Sequence, residues 1–306
     1  ILVDVCNYSL TYSMSGNTNH MSPDDHYQNL KRIIAAVGGK AKRINVIMPF
    51  LYESRQHKRS SRESLDCALA LQELTHMGVD NIITFDAHDP RVQNAIPLSG
   101  FETVRPTYQF VKGLLDRYDD LIIDSDHMMA ISPDEGATER AVYLANVLNL
   151  DMGMFYKRRD YTRVVNGRNP IVAHEFLGSS VEGKDVIILD DMISSGDSIL
   201  DVAKQLKSRN AKRIFAAATF GLFTNGLDKF DEAYESGLID GVLTTNLIYQ
   251  TPELLSRPYY INCDMSKYVA LMIDTLNHDG SISDILDPSE RIQVCVEEYK
   301  KAHGQL

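Results

Sequence analysis

Val186-Ile187-Ile188-Leu189-Asp190-Asp191-Met192-Ile193-Ser194-Ser195-Gly196-Asp197-Ser198 is the stretch whose reading decides the fold. A continuous apolar run, Val186 to Leu189, ends in two adjacent acids and a turn of small residues. Ile199, Val202, Ala203 and Leu206 then fall on one helical face. The pattern predicts a buried parallel strand, a tight loop and a helix. Open α/β sheets bind ligands at the carboxyl ends of their strands, and this end carries Asp190 and Asp191. Ser194, Ser195, Gly196, Asp197 and Ser198 bring backbone N–H groups to a helix N-terminus, where unpaired donors and the macrodipole favour an anion. Two carboxylates beside an anion cradle suit a sugar phosphate, acids for the hydroxyls and amides for the phosphate. An ordinary strand-to-helix turn with a polar N-cap is the alternative the pattern leaves open.

Composition narrows the surroundings of this stretch. With 306 residues, 44% of them hydrophobic, the chain suggests about two domains with real cores. A formal net charge of −11 argues against a nucleic-acid-binding surface, so any substrate anion must be met by specific Lys and Arg residues. Cys6, Cys67, Cys263 and Cys295 show no metal-ligand spacing and read as reduced thiols of a cytoplasmic protein. No apolar run reaches the roughly 18 residues of a membrane span, and Ile1 to Val5 looks like a strand rather than a signal peptide. Opening inside a strand and without Met, the chain is expected to have lost residues before Ile1.

Strands and helices alternate along the rest of the chain. Ile1 to Val5 is a predicted strand, and Asn7 to Asp25 reads as a polar loop. Asp24 or Asp25 is expected to cap a helix to about Val37, with Leu30, Ile33, Ile34 and Val37 inward and Gly38-Gly39 as its stop. Ile44 to Pro49 is the next strand. Arg55, Gln56, His57, Lys58, Arg59 and Arg62 follow it, either a cation cluster at a strand end or a solvated charge run. A helix over Leu65 to Met77 leads to a strand, Asn81 to Phe85, that delivers Asp86-Ala87-His88-Asp89. An acid and an imidazole there suit a shared cation, or a His that merely caps a turn. Pro90 to Pro106 reads as irregular.

A helix from about Thr107 precedes His127 to Ile131, which runs into Ser132-Pro133-Asp134-Glu135-Gly136-Ala137 and a helix over Thr138 to Leu148. This repeats the strand, acidic turn and helix of Val186 to Leu206. Met152 to Tyr156 is a short strand ending in Lys157-Arg158-Arg159. Asp160 to Ala173 shows no core period and reads as a loop whose cations could close over an anion site, or as a hairpin tip. Later come strands at Ile214 to Thr219, Gly241 to Thr245 and Tyr259 to Cys263, and helices at Leu227 to Glu235, Met265 to Asn277 and Ile292 to Tyr299. Ala41-Lys42-Arg43-Ile44 and Ala211-Lys212-Arg213-Ile214 repeat one tetrapeptide ahead of a strand, a hint of two related halves.

Taken together, the motifs resemble those of the ribose-phosphate pyrophosphokinase family, the synthetases of phosphoribosyl diphosphate (PRPP). The matching residues, in the family's order, are Arg55-Gln56 with its basic tail, Asp86-Ala87-His88, Ser132-Pro133-Asp134, Lys157-Arg158-Arg159, the stretch Val186 to Ser198, and Thr245-Asn246. They span nearly the whole chain. The chain resembles a divergent branch: Ser194 stands where the family often has an acid, Asp197 where it often has a small residue, and His57 in place of an acid. Acids usual near Ile96-Pro97 are absent, as are some tens of residues that the family has before this start.

The resemblance implies an α/β protein of two related phosphoribosyltransferase-like domains, each a mainly parallel sheet flanked by helices. They would cover residues 1–106 on the ATP side and 107–306 on the ribose-phosphate side, with both sets of motifs serving one cleft. It implies transfer of a diphosphoryl group from ATP to the anomeric hydroxyl of ribose 5-phosphate, giving PRPP and AMP, with Mg2+ as cofactor. The roles carried over are Asp190, Asp191, Ser194, Ser195, Gly196, Asp197 and Ser198 for ribose 5-phosphate, and Arg55 and Gln56 for ATP. His88 and Asp134 would serve the metal, and Lys157 and Arg159 the transition state. A cytoplasmic homo-oligomer is expected, without nucleic-acid or membrane partners. Two other classes stay open: a catalytically impaired regulatory homologue, and a phosphoribosyltransferase that consumes PRPP.

Overall fold

The computed structural model describes residues 1–159 and 171–305, without the side chains of 157–159 and 171–174. It divides into two compact units, Ile1–Pro106 with Asn246–Thr251, and Thr107–Thr245 with Pro252–Leu306.

In the first unit, β1 (Thr11–Met14) and β2 (Asn17–His20) form an antiparallel hairpin, followed by α1 (Pro23–Val37), β3 (Asn45–Ile47), α2 (Asp66–His76), β4 (Asn81–Phe85) and β5 (Gly100–Val104). A 3-10 turn over Pro90–Ala95 separates the last two strands. β3, β4 and β5 make a parallel three-stranded sheet. The core gathers Leu30 and Ile34 of α1, Leu71 and Leu74 of α2, and Val46 and Ile82 of the sheet. Ser22, rather than Asp24 or Asp25, caps α1: its hydroxyl accepts from the Asp25 N–H, while Asp25 accepts from the Ser22 N–H at 2.9 Å. That reciprocal box satisfies two donors that a helix start leaves unpaired. The segment Asn246–Thr251 is tied to this unit because the Tyr249 N–H donates to Asp4 Oδ2 at 2.8 Å and the Tyr249 ring meets Tyr8 edge-on at 5.5 Å.

The second unit runs α3 (Thr107–Arg117), β6 (Met128–Ser132), α4 (Thr138–Leu148), β7 (Asp151–Arg159), β8 (Ile171–Leu177), β9 (Asp185–Ile193), α5 (Asp197–Lys207), β10 (Ile214–Gly221), α6 (Asp228–Glu235), β11 (Gly241–Thr245), α7 (Pro252–Leu255), β12 (Tyr260–Cys263), α8 (Ser266–Asn277), α9 (Ser283–Leu286) and α10 (Ser289–Ala302). Its seven-stranded sheet has the order β12-β11-β10-β9-β6-β7-β8, parallel throughout except for the antiparallel pair β7 and β8. Both faces are covered. Ile187 and Leu189 of β9 pack with α3, α4 and α10, while Val186 and Ile188 pack with α5 and α6. Alternate side chains of a strand point to opposite faces, so a strand buried on both must be apolar at every position, as Val186 to Leu189 are.

Several local expectations need correction. Ile1 to Val5 forms only one bridge, Leu2 beside Ile47. Asn7 to Asp25 contains the hairpin of β1 and β2, and Pro90 to Pro106 contains β5. Ile33, expected inward, is exposed. The strand begun at Met152 continues through Arg159, and Ile171 to Ala173, read as part of a loop, start β8. The remainder of that loop, residues 160–170, lies outside the described residues.

Candidate active site

Chain order reverses between β9 and β6. The strands run outward to β7 and β8 on one side of that point and to β10, β11 and β12 on the other. Loops leaving adjacent strands in opposite directions open a crevice at such a switch point, where ligands of doubly wound sheets bind. The two strands flanking it end in the acids singled out from sequence: Asp190 and Asp191 on β9, and Asp134 two residues beyond β6.

Asp191 is only 3% exposed, whereas Asp190 keeps part of its surface open. The Asp191 N–H donates to Asp190 Oδ1 at 2.8 Å. Burial pushes the Asp190 carboxyl well above the usual carboxylate range, with the charges of Asp191 and Asp134 adding to the effect. Asp134 is oriented by its own turn: its Oδ1 accepts the Gly136 N–H at 3.0 Å, and its carbonyl accepts the Ser132 hydroxyl at 2.6 Å. The switch point therefore concentrates negative charge that hydroxyl donors or a hard cation would relieve. Among the described residues no group of three or more His, Cys, Asp or Glu side chains is disposed to hold a metal ion alone. Mg2+ does not require one, since it commonly takes one or two carboxylates and fills its remaining positions with water and substrate phosphates. The donor set fits that mode of binding.

Next to the acids, the β9–α5 turn forms the proposed anion cradle. Gly196 has φ +82°, and a Cβ added there would lie 2.4 Å from Phe230 Cε2 of α6, so glycine is required both by conformation and by space. The loop after β10 knits to the same turn, with the Thr224 N–H donating to the Ser194 carbonyl at 3.0 Å and the Leu222 N–H to the Ile193 carbonyl at 2.9 Å. Asp197, the acid that would disfavour a phosphate, is engaged elsewhere. Its Oδ2 accepts the Ser195 hydroxyl at 2.9 Å and its Oδ1 accepts Lys229 Nζ at 2.5 Å. Ser194 and Ser195 are half-buried, and Ser198 is exposed on the first turn of α5.

Sequence reading did not single out Lys229. The available signal was a lysine on the first turn of a predicted helix following a strand end, matched to an unexpected acid in the neighbouring loop. Phe230, which closes on Gly196, was equally silent, because a buried aromatic in a helix reads as core.

The first unit holds the other candidates. Arg55 is exposed, and the Gln56 side-chain amide donates to the Ser64 carbonyl at 2.9 Å, fastening the basic loop to itself. Beyond β4, Asp86 takes a left-handed backbone (φ +42°) and turns the chain toward His88 and Asp89. His57 joins this group: its ring lies 5.2 Å from that of His88 and its Nε2 is 3.6 Å from Asp89 Oδ2. Hydrogen bonding from Arg91 holds the Asp89 carboxyl down at about 2. Burial, with the neighbouring His88, lowers the His57 imidazole, and Nδ1 of His57 is buried without a hydrogen-bond partner among the described residues. His57 and His88 are thus brought together, which their separation in sequence did not reveal. Lys157 and Arg159 stand on β7, paired by register with His174 and Ile171.

Two family descriptions match the chain: the phosphoribosyl transferase domain over residues 105–245, and the N-terminal domain of ribose phosphate pyrophosphokinase over residues 11–78. The ribose-phosphate pyrophosphokinase of Shewanella oneidensis is 30% identical over 263 residues, covering 83% of this chain and 78% of that protein. That of Mycoplasma genitalium is 31% identical over 229 residues, covering 74% of this chain. The chain spans 65% of the Mycoplasma genitalium protein and 66% of its Mycoplasma pneumoniae counterpart, just under two thirds of their length. Among solved structures, phosphoribosylpyrophosphate synthetase from Mycobacterium smegmatis superposes with a TM-score of 0.72 at 22% identity, over 89% of this chain and 90% of that one. That likeness is one of fold.

Proposed function

Because the chain belongs to the ribose-phosphate pyrophosphokinase family, we propose that it transfers the diphosphoryl group of ATP to the anomeric hydroxyl of ribose 5-phosphate. The sugar oxygen attacks the β-phosphorus, the bond from that phosphorus to the AMP oxygen breaks, and the hydroxyl proton is lost. PRPP and AMP are the products. Such a step asks the protein for positioning and charge stabilisation rather than covalent chemistry.

The observation that carries this reading is the meeting of Asp190, Asp191 and Asp134 at the switch point, with the α5 N-terminus in the adjoining loop. Asp190 accepts the ribose hydroxyls with the buried Asp191 beside it in the strand, and Ser194 to Ser198 receive the 5-phosphate. Arg55 and Gln56 contact ATP, and Lys157 and Arg159 meet the charge that develops in the transition state. Asp134 of the second unit and His88 of the first are each assigned to Mg2+, which would supply neutralisation of the triphosphate. The proposal includes a homo-oligomer working in the cytoplasm, in keeping with four free cysteines. The ion pair of Asp197 with Lys229 favours this reading over a catalytically impaired homologue, because it offsets an acid that would otherwise repel the phosphate.

The test is an assay of AMP and PRPP formation from ATP, ribose 5-phosphate and Mg2+. Product in stoichiometric amounts supports the reading. Binding of ribose 5-phosphate without AMP release would instead make the protein a non-catalytic homologue.

A further inference from the structure

We propose that Lys229 is a charge-compensating positioning residue, which lets an acid at position 197 coexist with a phosphate dianion in the β9–α5 cradle. The inference rests on the reading of that cradle as the ribose 5-phosphate site. Asp197 begins α5, where the macrodipole attracts an anion, and its fixed charge competes with the ligand for the same field. Left alone, it would repel a phosphate bound to neighbouring amides. The carboxylate is instead divided between two donors, Ser195 Oγ at 2.9 Å and Lys229 Nζ at 2.5 Å.

The lysine is delivered by a fixed element rather than drifting in from solvent. Its neighbour Phe230 is fully buried and fills the space over Gly196 where a side chain would stand. Phe230 also meets Phe223 edge-on at 5.2 Å, and the Thr224 and Leu222 amides fasten the preceding loop to Ser194 and Ile193. The α6 N-terminus and the cradle thus form one packed corner, and Lys229 is the cation it presents. Lys204, about two turns further along α5, adds a weaker positive field at Asp197.

A competing account treats the pair as a surface ion pair with no role. Its members are about half exposed, 50% for Lys229 and 55% for Asp197, and such pairs contribute little to stability. The two accounts differ in what the pair affects. Compensation makes its charge matter to ribose 5-phosphate and not to folding.

The experiment is a double-mutant cycle on the full chain, with Kd for ribose 5-phosphate measured by calorimetry in wild type, Lys229→Met, Asp197→Asn and the double variant. Asp197→Asn keeps the shape and removes the charge. Lys229→Met is expected to weaken ribose 5-phosphate binding about tenfold, the effect of exposing one like charge at short range in a partly screened site. In the Asp197→Asn background the same change is expected to cost less than about twofold, because nothing remains to compensate. Thermal unfolding of all four proteins should agree closely. Wild-type affinity in Lys229→Met, or an undiminished loss in the Asp197→Asn background, overturns the inference. A separate arm tests the parent reading: if Asp190→Ala leaves ribose 5-phosphate affinity unchanged, the sugar phosphate binds elsewhere and the cradle assignment fails, whatever Lys229 does.

Discussion

The Asp191 N–H donates to Asp190 Oδ1 across 2.8 Å, and this contact leaves two adjacent carboxyls in unlike surroundings. Asp191 is buried, while Asp190 keeps part of its surface open and has its proton affinity raised by burial and by Asp191 and Asp134. A carboxyl raised in the native state binds protons there that the unfolded chain has already released. Its contribution to stability is therefore fully present below the ordinary carboxylate value, about 4, and is lost as pH rises through the native value. Asp190→Asn, in metal-free buffer, is expected to be more stable than wild type at pH 7 by on the order of 1 kcal/mol. That gain should fade as pH approaches about 4, where both states of the wild type carry the proton. Urea unfolding across this range checks it, and a gain independent of pH would exclude Asp190 as the titrating group.

Lys157→Ala should lower turnover far more than it weakens ribose 5-phosphate binding. The loss of one preorganised charge contact to the transition state is worth a factor of about 10² to 10³ in rate. Asp190→Ala should weaken binding itself if, as proposed, that acid meets the sugar both before and during reaction. Steady-state kinetics and direct binding on both variants separate the two. Near-normal turnover in Lys157→Ala would reduce the end of β7 to an ordinary strand end with no catalytic role.

Gly196→Ala should distort the cradle. The backbone at φ +82° disfavours any side chain, and the new methyl would meet the Phe230 ring. A cost of about 1–3 kcal/mol is expected from the backbone alone. Ribose 5-phosphate affinity should fall while ATP affinity holds. Unchanged melting and unchanged affinity would show that the turn relaxes freely.

Arg213 is a structural counterpart to the site cations. It donates to Asp185 through Nε at 2.9 Å and Nη2 at 2.7 Å, and to Asp120 through Nη1 at 2.7 Å. Asp185 is 3% exposed and Asp120 68%, so the two partners are not equivalent. Arg213→Met should cost about 3 kcal/mol, because it strands a buried carboxylate at the start of β9. Asp120→Asn should cost less than about 1 kcal/mol. Chemical denaturation decides between them, and equal losses would mean that Asp185 finds another partner, Lys212 being 4.0 Å away.

The legible parts of the sequence were those where burial left no choice. Val186 to Leu189 had to be a strand covered on both faces, and Thr138–Leu148 was found to the residue because its apolar spacing has one period. The hairpin of β1 and β2 escaped because seven of its eight residues are exposed, so no alternation marks an inner face. β5 carries Glu102 and a leading Gly100 and reads as loop until β4 is placed beside it. Ile1 to Val5 erred the other way, with an apolar strand pattern but too little pairing to be one. In the site, the acids announced themselves by type and position. Lys229 and Phe230 did not, since their meaning depends on α6 lying against the β9–α5 turn, a contact between elements distant in sequence.

The sheet order also sets when the site comes into being as the chain folds. Antiparallel β7 and β8 pair with a near neighbour in sequence, but Ile131 of β6 meets Ile188 of β9 only after the chain has gone out to the sheet edge and returned. Closing so long a loop is entropically slow, and contacts of high sequence separation are rewarded late. Asp134 and Asp190 therefore become neighbours only once that crossover is complete. In a refolding time course, helical signal should recover first and affinity for ribose 5-phosphate last, so that a nascent chain carries its secondary structure before it has anywhere to put a substrate.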